Sequence, residues 1–308
     1  MDETGSGVDI DITTIIVSWN TRELLARCLA SVERELDRSG LRGEIMVVDN
    51  ASTDGTPELV RERFPAVSLL ALEANRGFAA ANNLALARAR GAAVLLLNPD
   101  TELLPGALRA LWLALHAAPH VGMAGALLLN PDGSLQSAGY RFPGLAQLLI
   151  DLFPLHPRLV ASRLNGRVAP GDGLSPVAID HPLGACMLVR RAVVDEVGGF
   201  DEGYFLYSEE IDWCRRIAAA GWTIVTAPAA RVIHHGGQST GQMPEAMLRQ
   251  LHRSRARYYR RYHAPWFLRV AAAAARAAAA VEARRGRERA ALLREVAAVY
   301  AGAGAADV

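Results

Sequence analysis

The sequence predicts an α/β fold: a mostly parallel central sheet flanked by helices, with a helical extension at the carboxyl end. Three observations carry this. Four short apolar runs (Ile15–Val17, Ile45–Val48, Val67–Leu72 and Val94–Leu97) each end abruptly in polar residues. Helical patterns separate them, and short continuous apolar runs alternating with helices read as buried parallel strands. Beyond Gln242 the chain reads as helices to its end, first basic and then alanine-rich.

Taken in order, residues 1–9 are polar and expected to be disordered, and a sheet-and-helix domain spans 10–241. Asn20 is placed to cap the first helix, with Glu23 completing a capping box, and Leu24, Leu25, Cys28, Leu29 and Val32 then recur at helical spacing. Thr56-Pro57 starts the second helix, since proline suits the first helical position. The third covers roughly Ala79 to Ala89 and the fourth begins near Pro105. Segment 130–182 is rich in proline and glycine and lacks periodicity, as long functional loops do. Regularity returns with a strand at Ala185–Val189, a helix near Ala192–Val197, a loop to Tyr207, a helix at Ser208–Ala220 and a strand at Thr223–Ala227. Residues 242–308 form the helical region.

The bulk properties narrow the class. At 308 residues there is ample core for one large domain. A formal charge of +1 gives no global pull toward nucleic acid, which is not expected as a partner. Three cysteines (Cys28, Cys186 and Cys214) without metal-ligand spacing fit a reduced, cytoplasmic compartment, with Cys28 and Cys214 as small helical core residues. The acidic amino terminus lacks signal-peptide order, and no stretch of about 18 uncharged apolar residues is present.

In open α/β sheets ligands bind at the carboxyl ends of the strands, so the residues that end the apolar runs are the candidate site. Asp49 begins D-N-A-S-T-D-G: its carboxylate could accept hydrogen bonds from a nucleobase or ribose, or cap a turn. Asp100, in Asn98-Pro99-Asp100, suits a hard divalent cation beside a phosphate-bearing ligand, or caps the next segment of chain. Arg76 could pair with phosphate through its planar fork, beside Asn82 and Asn83; a solvated surface arginine fits equally. Ser208-Glu209-Glu210-Ile211-Asp212 opens a helix after an aromatic loop. Acidic residues suit a first turn, but three carboxylates exceed what capping needs, and one could act as general base. His234 and His235 end another apolar stretch, and neutral imidazole is a common metal ligand. G-x-G-x-x-G after the first strand, G-x-x-x-x-G-K-[ST] and G-x-S-x-G are missing, which disfavours dinucleotide, P-loop and nucleophile-elbow chemistry.

Seven segments in register resemble family 2 glycosyltransferases of the GT-A fold, in particular their bacterial rhamnosyltransferase-like branch. They are IIVSWN (Ile15–Asn20), VVDNASTDGT (Val47–Thr56), NRGFAAANN (Asn75–Asn83), LLLNPD (Leu95–Asp100), GACMLVRR (Gly184–Arg191), VGGFDEGYFLYSEEIDWCRR (Val197–Arg216) and VIHHGGQST (Val232–Thr240), covering roughly residues 10 to 262. The resemblance implies that Asp49 contacts the nucleobase, that Ser18 and Trp19 line the nucleotide pocket, and that Arg76 and Asn83 lie along the diphosphate-sugar. Asp100 stands at the final position of the D-x-D metal motif and His234 at a histidine that approaches the metal or diphosphate. Glu210 stands where the family has its catalytic base. Two positions depart from the pattern: Asn98 occupies the first D-x-D position, and Glu210 replaces an aspartate, which leaves Asp212 as the alternative base.

The implied activity is an inverting, metal-dependent hexosyl transfer from a nucleoside-diphosphate sugar, with Mg or Mn as cofactor. The leading donor by family branch is dTDP-rhamnose. The acceptor is a saccharide or polyprenyl-linked glycan of the cell envelope. Arg249 to Arg261 holds six arginines interleaved with Tyr258 and Tyr259 and no acid, which suits an anionic membrane surface. That reading makes the enzyme peripheral on the inner face of the cell membrane; a helical subdomain packing on the core or on a second subunit of a homo-oligomer fits the same residues. The competing class is a nucleotide-sugar-binding protein whose catalytic site has decayed, as marked by Asn98 and Glu210.

Overall fold

A computed structural model describes residues 10–153, 156–160, 162–236, 244–285 and 289–302. The segment expected to be disordered, 1–9, and the Gly237–Thr240 end of the last motif lie outside the described residues. The first half runs β1 (Ile12–Ser18), α1 (Arg22–Ser39), β2 (Gly43–Asp49), α2 (Thr56–Arg63), β3 (Ser68–Ala71), α3 (Gly77–Leu86), β4 (Ala93–Leu97), β5 (Thr101–Leu103) and α4 (Ala107–Leu115). Then come β6 (Val121–Leu129), β7 (Leu135–Ser137), α5 (Leu145–Leu152), α6 (Pro157–Val160), β8 (Val177–Ile179), β9 (Cys186–Arg190), α7 (Arg191–Val197), α8 (Glu209–Ala219) and β10 (Thr223–His234). The chain ends in α9 (Pro244–Tyr262), α10 (Pro265–Arg284) and α11 (Arg289–Tyr300).

The strands join one sheet in the order β3-β2-β1-β4-β9-β6-β10-β5, with β7 beside β6 and β8 beside β10. The continuous apolar runs serve both faces, because successive side chains point to opposite sides. Ile12, Ile16, Ile45, Val47, Leu95, Leu97 and Leu188 pack on one side with α1 and α4. Ile15, Val17, Met46, Val48, Val94, Leu96, Met187 and Val189 pack on the other with α3 and α8. A third core joins α9, α10 and α11 to Leu148 and Leu152 of α5. Cys28 and Cys214 are buried on α1 and α8, and Cys186 in β9, all as free thiols.

Strand direction decides what meets at the site. β1, β2, β3 and β4 are mutually parallel, so Ser18, Asp49 and Leu97 end on one edge. β9 runs antiparallel to both β4 and β6, and β10 parallel to β6, so β10 ends on that edge too. β5 then pairs with the end of β10, setting Thr101 opposite His234.

Three expectations need correcting. The first helix has Thr21 at its N-cap position, without a side-chain capping bond, and not Asn20, which takes a left-handed backbone (φ 51) and accepts a hydrogen bond from the Thr53 amide at 2.8 Å through Oδ1. Thr223–Ala227 and Arg231–Ile233 are one strand, β10, with a register shift between Ala227 and Arg231. Tyr258 and Tyr259 are 1 % exposed and sit in the third core, while Arg255 pairs with Asp151 and Arg257 and Arg261 pair with Asp201. The interleaved aromatics of α9 are therefore core residues and not a membrane-facing stripe. Among the described residues no helix is long and apolar enough to cross a membrane.

Candidate active site

At this edge of the sheet lies a cavity of about 440 Å³, walled by Trp19, Asn50 and Asn75 on one side and Asn98 and Asp100 on another, with Phe205, Tyr207, Glu209, Glu210, His234 and Met247 closing it. Each wall has a local cause. Trp19 follows the end of β1 in a turn whose Asn20 amide donates to Ser52 Oγ at 2.9 Å. Asn50 clamps the start of α3, accepting from the Arg76 amide at 2.8 Å and donating to Gly77 O at 3.1 Å. Gly77 has φ +82, and a Cβ there would come within 2.4 Å of Phe205 O; its bare backbone lets the aromatic loop close over the cavity, where the Phe78 amide donates to Phe205 O at 2.8 Å. That loop ends in two residues with left-handed backbone, Tyr207 (φ 68) and Ser208 (φ 65), immediately before the carboxylates of α8. Left-handed residues other than glycine are uncommon, and two in succession are held here by tertiary packing.

Asp100 and His234 converge from β5 and β10. His234 Nε2 lies 3.4 Å from Asp100 Oδ1, both residues are buried, and the His235 amide donates to Asp100 O at 2.9 Å. His234 Nδ1 is engaged elsewhere, 2.7 Å from Gln136 Oε1. A carboxylate and an imidazole nitrogen brought together at the mouth of a cavity form a donor pair suited to a hard divalent cation. Such a cation would take its remaining ligands from substrate phosphates and water; among the described residues no group of three or more acidic, histidine or cysteine ligands is gathered. His235 turns away to Glu102, Nε2 to Oε1 at 2.9 Å.

Opposite stands the acidic start of α8. Glu210 lines the cavity, its Oε2 is buried without a protein partner, and burial pushes its carboxyl up to about 7 even though backbone amides at the helix start hydrogen-bond to it. Glu209 also lines the cavity with a buried, unpartnered Oε2, and burial followed by the adjacent Glu210 charge pushes it well above the usual range. Two buried carboxyls side by side thus both resist ionisation, and the pair titrates as a unit.

The other expected residues are placed differently. Asp49 is 1 % exposed at the end of β2, where Oδ2 accepts from the Ser52 amide at 2.9 Å and Oδ1 has no protein partner. Ser18 is buried and spends its hydroxyl on Thr21 at 2.9 Å. Asn83 holds the aromatic loop from beneath: its amide donates to Phe200 O at 3.0 Å and accepts from the Phe200 amide at 2.9 Å. Arg76 is exposed beside the cavity, and its side chain is not part of the wall. Asp212 is not at the cavity at all. It is fully buried, and it accepts from Arg216 Nε at 3.0 Å, Arg261 at 3.0 Å and the Tyr262 hydroxyl at 2.9 Å. A carboxylate so occupied is a structural hub, so the alternative base assignment fails on placement. Glu209 is one of the three carboxylates that open the helix, though the sequence assigns it no role of its own, and Asn50 lies within a quoted motif without standing out there; Met247 and Gln136 carry no signal in the sequence at all.

The sequence profile described as "Glycosyl transferase family 2" matches residues 13–198. This chain belongs to glycosyl transferase family 2. As a family 2 glycosyltransferase it is 34 % identical over 272 residues to the N-acetylglucosaminyl-diphospho-decaprenol L-rhamnosyltransferase of Mycobacterium tuberculosis, covering 83 % of this chain and 86 % of that one. It is 24 % identical over 229 residues to the low-salt glycan biosynthesis hexosyltransferase Agl10 of Haloferax volcanii, covering 73 % and 67 %. Among solved structures, the mannosyltransferase PcManGT of Pyrobaculum calidifontis, in complex with GDP-Man and Mn2+, matches with a TM-score of 0.57 at 22 % identity over 96 % of this chain and 86 % of that one. GalNAc-T7 with UDP, GalNAc and Mn2+ gives 0.55 at 16 % identity, covering 82 % and 50 %. The fold of this glycosyltransferase is GT-A, as its motifs imply.

Proposed function

We propose that this glycosyltransferase moves L-rhamnose from a dTDP-linked donor to a sugar carried on a polyprenyl diphosphate, with inversion, in building a cell-envelope glycan. The observation that carries the reaction is the meeting of Glu210 with the Asp100–His234 pair across one cavity. The choice of sugar and acceptor rests on the printed activity of the mycobacterial relative.

In this reading Asp49 Oδ1 accepts a hydrogen bond from the nucleobase, satisfying a buried oxygen that has no protein partner. Asp100 and His234 hold Mg or Mn, which when bound neutralises charge on the departing diphosphate. Glu210 Oε2 takes the proton of the acceptor hydroxyl as that oxygen attacks the anomeric carbon from the face opposite the diphosphate. A base titrating near 7 is matched to this task, being ionised in a substantial fraction of molecules without being too weak to hold the proton. Glu209 lines the cavity beside it with a second buried, unpartnered carboxyl oxygen. Trp19, Phe205, Tyr207 and Met247 exclude water, which would otherwise compete as acceptor.

A second surface, apart from this cavity, suits a membrane partner. Arg260, Arg269 and Arg276 surround a cleft on α9 and α10, and none of the three is ion-paired among the described residues. Trp266 nearby is 54 % exposed. This basic, aromatic face replaces the tyrosine stripe as the candidate contact with an anionic inner membrane surface.

Calorimetric titration of dTDP, UDP and GDP, with Mn2+ and with EDTA, tests the donor reading. Cation-dependent binding of dTDP alone, lost in Asp100→Ala, is expected. Preference for UDP or GDP overturns the choice of donor, and binding indifferent to EDTA overturns the cation.

A further inference from the structure

We propose that Gln136 is a positioning residue for His234, holding the imidazole as the tautomer whose proton is on Nδ1, so that Nε2 presents a lone pair toward Asp100. The inference rests on the reading that Asp100 and His234 hold the cation. Gln136 lies on β7, 98 residues away in sequence, inside a segment that shows no periodicity.

Which end of an amide faces a neighbour, and which ring nitrogen carries hydrogen, are normally open questions. Here a chain of groups with only one available role closes them. The ionised Asp132 carboxylate can only accept, so the Ser134 hydroxyl, 2.6 Å from Asp132 Oδ1, donates to it. Ser134 Oγ must then accept from Asn130 Nδ2 at 2.9 Å. That orientation leaves Asn130 Oδ1 to accept from Gln136 Nε2 at 3.0 Å. The same amide nitrogen also donates to the backbone carbonyl of His234 at 3.1 Å, an acceptor that fixes the amide independently. Gln136 Oε1 is thereby turned to His234 Nδ1 at 2.7 Å and can only accept, so Nδ1 carries the hydrogen. In the neutral ring Nε2 is then a bare lone pair, 3.4 Å from a carboxylate oxygen. Two lone pairs facing each other repel unless a positive charge lies between them, a charge that a bound divalent cation would supply. Partners of this kind on metal-bound histidines fix the ring and sustain affinity.

The test uses the full chain with 15N-labelled histidine, the His234 signals being assigned by loss in His234→Asn. Without metal, the nitrogen shifts of wild type should report Nδ1 protonated and Nε2 bare. Gln136→Met, similar in size but without an acceptor, should populate the Nε2–H form and weaken Mn2+ binding in the presence of nucleoside diphosphate by about 10–100-fold. Gln136→Glu retains an acceptor and should retain the Nδ1–H form. A wild-type protein with hydrogen on Nε2, or a Gln136→Met protein with unchanged tautomer and unchanged Mn2+ affinity, overturns the proposal. If Mn2+ binding survives Asp100→Ala as well, the cation reading has failed instead, and the nitrogen shifts still decide the role of Gln136.

Discussion

Replacing Glu210 with Gln should lower activity and raise stability, and the second effect can be worked from the structure. Burial moves the Glu210 carboxyl from 4.5 to about 7. At about 1.4 kcal/mol per pH unit, the ionised side chain would cost the folded state about 3–4 kcal/mol if fully shielded. Glu210 borders an open cavity, so screening by solvent reduces that to about 1–2 kcal/mol. The sign comes from proton binding. The folded pKa is raised, so between about 4.5 and 7 the native state holds a proton that the unfolded chain has released. Stability therefore falls as pH rises through that window, and the loss is complete above it. Gln cannot ionise and escapes the loss. Thermal unfolding at pH 5 and pH 8 is the assay: the variant should match wild type near pH 5 and melt roughly 3–6 °C higher at pH 8. Glycosyl transfer should drop at least about 100-fold, and the wild-type rate should rise with pH through about 7. A variant less stable than wild type at both pH values would refute the argument, because the carboxylate would then be stabilised where it sits and could not be the raised base.

Asp212→Asn should destabilise the fold by about 3 kcal/mol in urea unfolding, since Arg216 and Arg261 lose a buried counter-charge. Gly77→Ala should cut transfer at least about tenfold while leaving the chain folded, because the new methyl must displace Phe205 and the loop leading to Glu210. Flotation with anionic vesicles at low salt should carry wild type upward and should leave an Arg260, Arg269 and Arg276 to Gln triple variant behind; equal flotation of the two would remove the membrane-facing role of that cleft.

How much was legible depended on how far each signal had to travel along the chain. The four N-terminal strands could be read because a strand buried on both faces writes itself as an unbroken apolar run, and β1, β2 and β4 match the expected runs closely. Their polar ends came with them, and so did Asp49, Asn98 and Asp100. Ser18 and Asn83 sit in the right motifs, yet a motif gives position and not side-chain direction: one hydroxyl turned to Thr21 and one amide turned to the loop beneath the cavity. Asp212 is the sharper case. Two residues from Glu210 it looks like a third site carboxylate, but at 3.6 residues per turn that offset sets it on the other side of α8, against Arg261 and Tyr262, nearly fifty positions later in the chain. Gln136 and Met247 could not be found because their importance exists only once β7 and α9 have docked. The tail misled for the same reason, since tyrosines bound for a core and tyrosines bound for a membrane have the same composition.

The ties between α9 and the aromatic loop have a consequence for anyone who would rebuild this enzyme. Ser254 donates to Leu206 O, Arg257 and Arg261 grip Asp201, and Tyr262 reaches Asp212, all on the approach to Glu210. The seam between catalytic body and helical tail is thus a set of matched fittings. A tail borrowed from a relative to redirect the enzyme would have to bring the counterparts of Ser254, Arg257, Arg261 and Tyr262 with it. Otherwise the chimera would keep the cavity at the strand ends and lose the placement of Glu210, a fault that would look like wrong acceptor choice while being a fault of carpentry.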